Sequence, residues 1–352
     1  MTKYVLKRIG LALVTAFIIL SLTFILMKLL PFAKPIGQVS TQFSYYESQV
    51  HLGFVYKFTE LHPEYGDYLW KFVSTAASGK ETDTYYYYQV PVMTQYVNWI
   101  RNIVTRWDWG TSTYISPNVA VTVLIAERIA YSIRINIFAV LFSVPTGIAL
   151  GIWAALKKNK PTDHIISTLV MVFISVPSFV LITFLMLLLC YNNHILPTQW
   201  PDTSADLKTK VLAYIIPVFC LSFGSICGYC RSTRAELCEV MASDYLLLAR
   251  TKGLTKKQAI MRHALRNAMV PIFPSILAEV IGLFGGAMIL EQLYGIPGIG
   301  RLFITALNGA NKDYNVIFVD MAIFTTTGLL AGVVLDISYG FIDPRIRMGA
   351  KK

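Results

Sequence analysis

Residues 243–274 read SDYLLLARTKGLTKKQAIMRHALRNAMVPIFP, a basic stretch between two apolar blocks. Ser243 or Asp244 can cap a short helix over Tyr245, Leu246, Leu247, Leu248 and Ala249. Gly253 suits the left-handed residue that ends such a helix. Thr255 with Gln258 makes a T-x-x-Q capping box, so a second helix starts two residues later. That helix carries Lys256, Lys257, Arg262 and Arg266 and stops near Pro271. A hairpin with an apolar first limb is either a docking element or a basic loop that only obeys membrane topology. The residues alone leave both readings open.

The chain around it has 352 residues, 55% of them hydrophobic and 14% charged. Soluble domains average about 25% charged, so this chain is not wholly soluble. Its net charge of +11 gathers in short gaps between apolar blocks, the pattern of cytoplasmic loops rather than of a nucleic-acid surface. The five cysteines, Cys190, Cys220, Cys227, Cys230 and Cys238, avoid the long polar segment, which argues against a disulfide framework. Cys227 and Cys230 stand without a second pair, so no metal site is expected.

Apolar runs place six spans at about 9–30, 135–156, 165–190, 210–230, 272–290 and 316–341, each near the roughly 20 residues that cross a bilayer. The first lacks the short core and small-residue cleavage site of a secretory signal. The third is broken by Ser175-Val176-Pro177-Ser178, and residues 118–134 are amphipathic. Lys28 lies near a membrane end and can snorkel. Residues 31–117 are polar and aromatic, with Tyr85 to Tyr88 in a row and Trp99, Trp107 and Trp109 following. They read as an inserted outer domain, the tyrosines more as strand or interfacial packing than as a ligand surface. The expected organisation is therefore 1–30, 31–117 and 118–352, with a cytoplasmic loop over 231–270. Eighteen Lys/Arg fall in the N-terminus, 157–164, 231–270 and the tail, against Lys208, Lys210, Arg301 and Lys312 in the opposite gaps. Both termini are thus expected inside.

No G-x-x-x-x-G-K-[ST] loop is present, so ATP is not held by that device. Gly295-Ile-Pro-Gly298-Ile-Gly300 lacks the dinucleotide spacing and reads as a turn. Neither G-x-S-x-G nor H-E-x-x-H occurs, and His263 has no second histidine at ligand spacing. No catalysis is expected. Glu279 falls inside the fifth span, where an acid costs about 2.5–3.5 kcal/mol, so it should face protein or water. It is either a pathway acid that meets a cationic group or an acid paired with a neighbouring helix. Asp320 and Asp336 lie nearer the ends of the sixth span, and one mid-membrane acid is a thin basis for a proton relay.

These residues also form a pattern: Asp244-Tyr245, Ala249-Arg250-x-Lys252-Gly253-Leu254, His263 to Ala268, and Pro271. Tyr4-Val5-Leu6-x-Arg8, Glu127-Arg128-Ile129, Ser175 to Phe179, Pro297 to Arg301 and Asp343 to Arg347 extend it to both ends. The chain resembles the permeases of bacterial ABC importers, in the oligopeptide, dipeptide and nickel group, and within it the first permease of the pair. The resemblance implies an all-α polytopic fold of type I importer architecture, with six transmembrane helices and a small outer domain between the first two. It implies a non-catalytic subunit of the inner membrane with a second, related permease as partner. Two cytoplasmic ATPases would hold the ATP and Mg, this chain itself no cofactor, and an extracytoplasmic binding protein would deliver the cargo. Asp244, Tyr245, Leu248, Ala249, Arg250, Lys252, Gly253 and Leu254 would form the coupling helix seated on an ATPase. Ser175, Pro177, Ser178, Glu279 and Gly282 are the candidate pathway residues. The Glu-Ala-Ala that commonly precedes the loop glycine is here Leu247-Leu248-Ala249, so the contact should rest on shape and apolar burial. Glu279 stands where the family commonly has a neutral amide. Peptides are the expected cargo; nickel chelates or another small solute on the same machine, and an ion-gradient-driven transporter, are the alternatives.

Overall fold

Long apolar runs must satisfy their backbone N–H and C=O groups internally, which makes them helices. The computed structural model describes residues 2–30, 35–75, 81–308 and 312–342. The Asp343–Arg347 motif and the terminal lysine pair lie outside the described residues. In chain order the elements are α1 (Thr2–Lys28), α2 (Val39–His51), β1 (Val55–Phe58), β2 (Trp70–Thr75), β3 (Glu81–Gln89) and α3 (Val92–Arg106). Then follow α4 (Val121–Leu156), α5 (Pro161–Ile174), α6 (Ser178–Leu185), α7 (Leu207–Leu212) and α8 (Ile215–Met241). The basic stretch gives α9 (Asp244–Thr251), α10 (Lys256–Ala259) and α11 (Leu265–Ala268), the last two joined by a π turn. The chain continues with α12 (Phe273–Gly282), α13 (Met288–Tyr294), α14 (Ile299–Asn308) and α15 (Tyr314–Ile342).

Among the described residues, four stretches are long and apolar enough to cross a membrane: Tyr4–Lys28, Val121–Leu156, Leu207–Met241 and Tyr314–Ser338. Two bent pairs bring the number to six. Pro161–Ile174 and Ser178–Asn192 meet at 97°, and Lys256–Ala268 and Phe273–Gly285 at 53°. The sharper bend falls on Pro177, whose ring cannot continue α5. The expected fifth span, 272–290, is not one helix. It ends at Gly282, makes a 3-10 turn over Leu283–Gly285, and breaks at Gly286, whose φ is +61°. Three glycines in five residues cannot hold a helix against their own backbone entropy. The fourth span also runs further than its apolar run, so 231–241 belong to α8 rather than to a loop.

The contacts divide the chain into two compact units, described separately. The first comprises residues 1–12, 129–301 and 327–352. Its centre is α8, which packs on α5, α6 and α11. The α4 backbone approaches α8 closely. A Cβ at Gly147 would lie 2.7 Å from Tyr229 Cβ, and one at Gly151 would lie 2.6 Å from the Cys230 carbonyl. Small residues one turn apart are what such an approach requires. Arg234 of α8 donates Nε and Nη2 to Asp163 of α5 at 2.5 and 2.8 Å, while the Asn159 N–H at 3.0 Å and the Ser167 hydroxyl fill the remaining lone pairs. All five cysteines are buried and free.

The second unit comprises residues 13–128 and 302–326. It adds a three-stranded antiparallel sheet, order β1-β3-β2, to an otherwise helical chain. The tyrosine run is the central strand. Tyr87 is fully buried against Tyr46 and Trp70, with ring centres 5.1 and 5.5 Å away. Alternating aromatic residues suit this half-buried pleated surface. Asp313, just before α15, accepts the Ser112 hydroxyl at 2.6 Å and the N–H groups of Thr113, Tyr114 and Ile115 at 2.9, 2.9 and 3.3 Å. Phe24 stacks on Trp99 at 4.8 Å and meets Phe318 edge-on.

Gly151→Val should push α4 off α8 and destabilise the protein by about 1–3 kcal/mol, the usual cost of overpacking. Thermal unfolding in detergent should show a lowered midpoint. Gly224→Ala, on α8 where a Cβ would meet nothing within 4 Å, should leave it in place.

Candidate functional site

The first candidate surface is α9 and its turn. Leu246 is buried with Ala155, Leu237, Ala259 and Ile260, and Ala249 is buried on the same helix, so one face of the helix is anchored. The other face turns Leu247 and Leu248 outward at 60% and 61% exposure, with Tyr245 half exposed beside them. Asp244, Arg250 and Lys252 are also exposed, and Leu254 is half-buried. Ser243 takes the extended backbone of a helix cap, but its hydroxyl donates back to the Val240 carbonyl at 2.7 Å and not to α9. Gly253 has φ +91° and open space where a side chain would start. Backbone conformation, not crowding, therefore demands glycine there. The capping box is reciprocal: Gln258 N donates to Thr255 Oγ1 at 3.3 Å, and Thr255 N to Gln258 Oε1 at 3.1 Å. The Tyr245 hydroxyl and His263 Nδ1, 3.1 Å apart, tie the two limbs. An anchored helix that presents leucines to solvent has a face still to be buried.

The second is a cavity of about 370 Å³ lined by α8 and α12. Ser225, Tyr229, Ser232 and Glu236 face it from α8, and Ser275 and Glu279 from α12. Glu279 accepts a short hydrogen bond from the Tyr229 hydroxyl and a 3.5 Å one from Ser143 of α4. It is tied to neighbouring helices, but by neutral hydroxyls, and it still borders the cavity. Gly282 sits one turn further along α12 and is exposed. Ser175, Pro177 and Ser178 are not brought here; they lie exposed at the bend between α5 and α6. Tyr229, Ser225, Ser232 and Glu236 were not among the expected pathway residues. Their signal was present, because positions 225, 229, 232 and 236 follow the 4-3-4 spacing of one helix face.

The glycine-rich segment 295–300 is a turn over 295–298 that enters α14 at Ile299, built around a buried acid. Glu291 accepts the Ser132 hydroxyl at 2.7 Å and the N–H groups of Ala287 and Arg301, both at 3.0 Å. Gly298 lies so close to Glu291 that no side chain fits, and Gly295 closes α13 with φ +75°. Among the described residues, no cluster of three or more His, Cys, Asp or Glu is arranged to hold a metal.

Up to six membrane-crossing segments, a polar cavity between two of them and an anchored helix with an apolar outer face define a polytopic membrane transport subunit. Residues 147–348, more than half of the chain, match the family described as binding-protein-dependent transport system inner membrane component. The chain belongs to that family and is a non-catalytic ABC importer permease, a membrane protein that works with ATPase and substrate-binding partners. It is 31% identical over 348 residues to the dipeptide transport system permease protein DppB of Lactococcus lactis subsp. cremoris, covering 99% of this chain and 100% of the relative. The Bacillus subtilis protein of the same name is 27% identical over 351 residues, with both chains fully covered. The oligopeptide transport system permease protein OppB of Escherichia coli K12 is 30% identical over 348 residues, again covering 99% and 100%.

Gly253→Val forces a β-branched residue to positive φ and should unseat α9. Hydrogen exchange over 244–260 should accelerate while the middle of α8 keeps its protection.

Proposed function

We propose that this chain is one of two permease halves of an ATP-driven peptide importer in a bacterial inner membrane. Both termini face the cytoplasm, as the distribution of Lys and Arg indicates. The second half is a related permease. Two cytoplasmic ATPases hold ATP and Mg, and an extracytoplasmic binding protein delivers peptide. The observation that carries this reading is the outward leucine face of α9, rigidly joined to the helices that line the polar cavity. Met241 ends α8 only three residues before α9 begins, and α10 and α11 lead into α12. A partner that fills its groove with Leu247, Leu248 and Tyr245 therefore grips the cavity walls through short connections. Nucleotide-driven movement of that partner shifts α8 against α12, a rigid-body route to alternating access. The bases at Arg250, Lys252, Lys256 and Lys257 suit an acidic groove rim.

Within the cavity, Glu279 is held in place by Tyr229 and Ser143 with no cation paired to it among the described residues. A peptide's protonated amino terminus or lysine side chain can supply that charge, in a hydrogen bond worth about 1.5–3 kcal/mol. The full-length relatives named for dipeptide and oligopeptide transport support peptides as the cargo.

Leu248→Asp places a charge on the docking face and should leave the protein in the membrane. ATPase retention on copurification and peptide uptake should both fall at least about tenfold, the loss of roughly 1.4 kcal/mol. Undiminished retention of the ATPase by this variant would sink the coupling reading. In uptake assays, Glu279→Gln should reduce lysine-containing peptides more than neutral ones, and Tyr229→Phe should do so more weakly. Equal losses for both peptide classes would make Glu279 a helix-pairing residue only.

A further inference from the structure

The second unit contains a cavity of about 70 Å³ where α1, α2 and the first turns of α15 converge. Lys28 reaches it from the last turn of α1, its Nζ 4.1 Å from the centre of the Phe54 ring and 5.6 Å from that of Phe24. Cation–π contact accounts for part of that placement. Lys28 makes no ion pair among the described residues, and none of the residues lining the cavity is acidic. The nearby Asp313 is committed to Ser112 and to the N–H groups of 113–115. Gln49 of α2 also lines the cavity. It is only 5% exposed, and its side-chain amide has no hydrogen-bond partner among the described residues. Thr113, buried at 6% exposure, also lines it, its hydroxyl hydrogen-bonded to Tyr45.

An amide that borders a cavity and an ammonium held without an anion both favour a ligand that accepts hydrogen bonds from them. Both groups are donors, both border one cavity, and its volume holds several water-sized groups at about 10–15 Å³ each. One ammonium and one amide donor match the two oxygens and single charge of a carboxylate. A phosphate would call for further cations. The rings of Phe24, Phe54 and Phe318 leave an apolar wall for a short hydrocarbon body.

We propose that this cavity binds a small carboxylate, with Lys28 pairing its charge and the Gln49 amide donating to it. The carboxylate belongs either to a free short-chain acid or to the C-terminus of a short peptide. The site is independent of the cavity between α8 and α12, and its test needs no transport.

The full chain in nanodiscs should be titrated with isobutyrate, Ala-Ala, Ala-Ala amide and inorganic phosphate at constant ionic strength. Saturation-transfer NMR and thermal shift provide the readouts. Saturable binding of isobutyrate or Ala-Ala is expected, weakened at least about tenfold by Lys28→Met and severalfold by Gln49→Leu, since the ammonium supplies charge and donor together and the amide a donor alone. Lys71→Met, on β2 outside the cavity, should change nothing. Preference for Ala-Ala over its amide identifies a peptide C-terminus as the source, and binding of isobutyrate alone identifies a free acid. No saturable carboxylate binding, tighter phosphate binding, or unchanged affinity in Lys28→Met overturns the proposal. If Lys28→Met does not fold, unchanged affinity in Gln49→Leu overturns it equally.

Discussion

Everything that positions the two candidate surfaces of the first unit passes through α8, and α8 is fixed by the bidentate pair between Arg234 and Asp163. Asp163 is buried on α5, and its carboxylate is surrounded by Arg234, the Asn159 N–H and Ser167. Removing one partner of such a buried pair typically costs about 3–5 kcal/mol, because the other charge is left without compensation. One turn or so toward the middle of α8, Gly147 and Gly151 let α4 close on the same helix, backbone against side chain. Charge thus fixes where α5 meets α8, and absence of bulk fixes where α4 does. The cavity face of α8 and its junction with α9 inherit both constraints.

This arrangement revises what the charges of 231–270 signify. In the sequence, Arg231 and Arg234 count with Lys252 and Lys256 as positive residues of one cytoplasmic gap. In the structure they lie on α8, and Arg234 is spent on an ion pair. Charge counting still finds the remaining bases of that gap together on α9 to α11. Its arithmetic could not separate a charge that orients the chain from one that locks two helices.

Legibility followed the range of the physics. Local rules read well: the Thr255–Gln258 box, the left-handed Gly253, the proline break at Pro177 and the apolar lengths of the spans all depend on a few neighbouring residues. The tyrosine run, read as strand or interfacial packing, is a packed central strand, but the sheet around it was not legible, since β1 and β2 declare themselves only through their pairing with it. The broken fifth span was misread because small residues that permit close packing were weighed without their helix-breaking tendency. Buried acids were the other blind spot. Glu291 and Asp313 look like ordinary loop-flanking acids until the donors that fill them arrive from residues 132 and 112–115, far away in sequence. The 4-3-4 row on α8 was readable, but an apolar block draws attention to its hydrophobic face and away from its polar one.

Glu279 shows why that row matters. A mid-span acid neutralised by arginine would be architecture, and one left alone would be expelled or protonated. Hydroxyls from Tyr229 and Ser143 do something intermediate: they orient the carboxyl group and hydrogen-bond it without supplying a counter-charge. The group is therefore fixed in position at the edge of the cavity, with no cation paired to it among the described residues. Because Tyr229 lies on α8 and Glu279 on α12, any shift of one helix against the other also changes that hydrogen bond. In the proposed importer, a movement gripped at α9 would therefore alter the acid's surroundings as it alters the cavity.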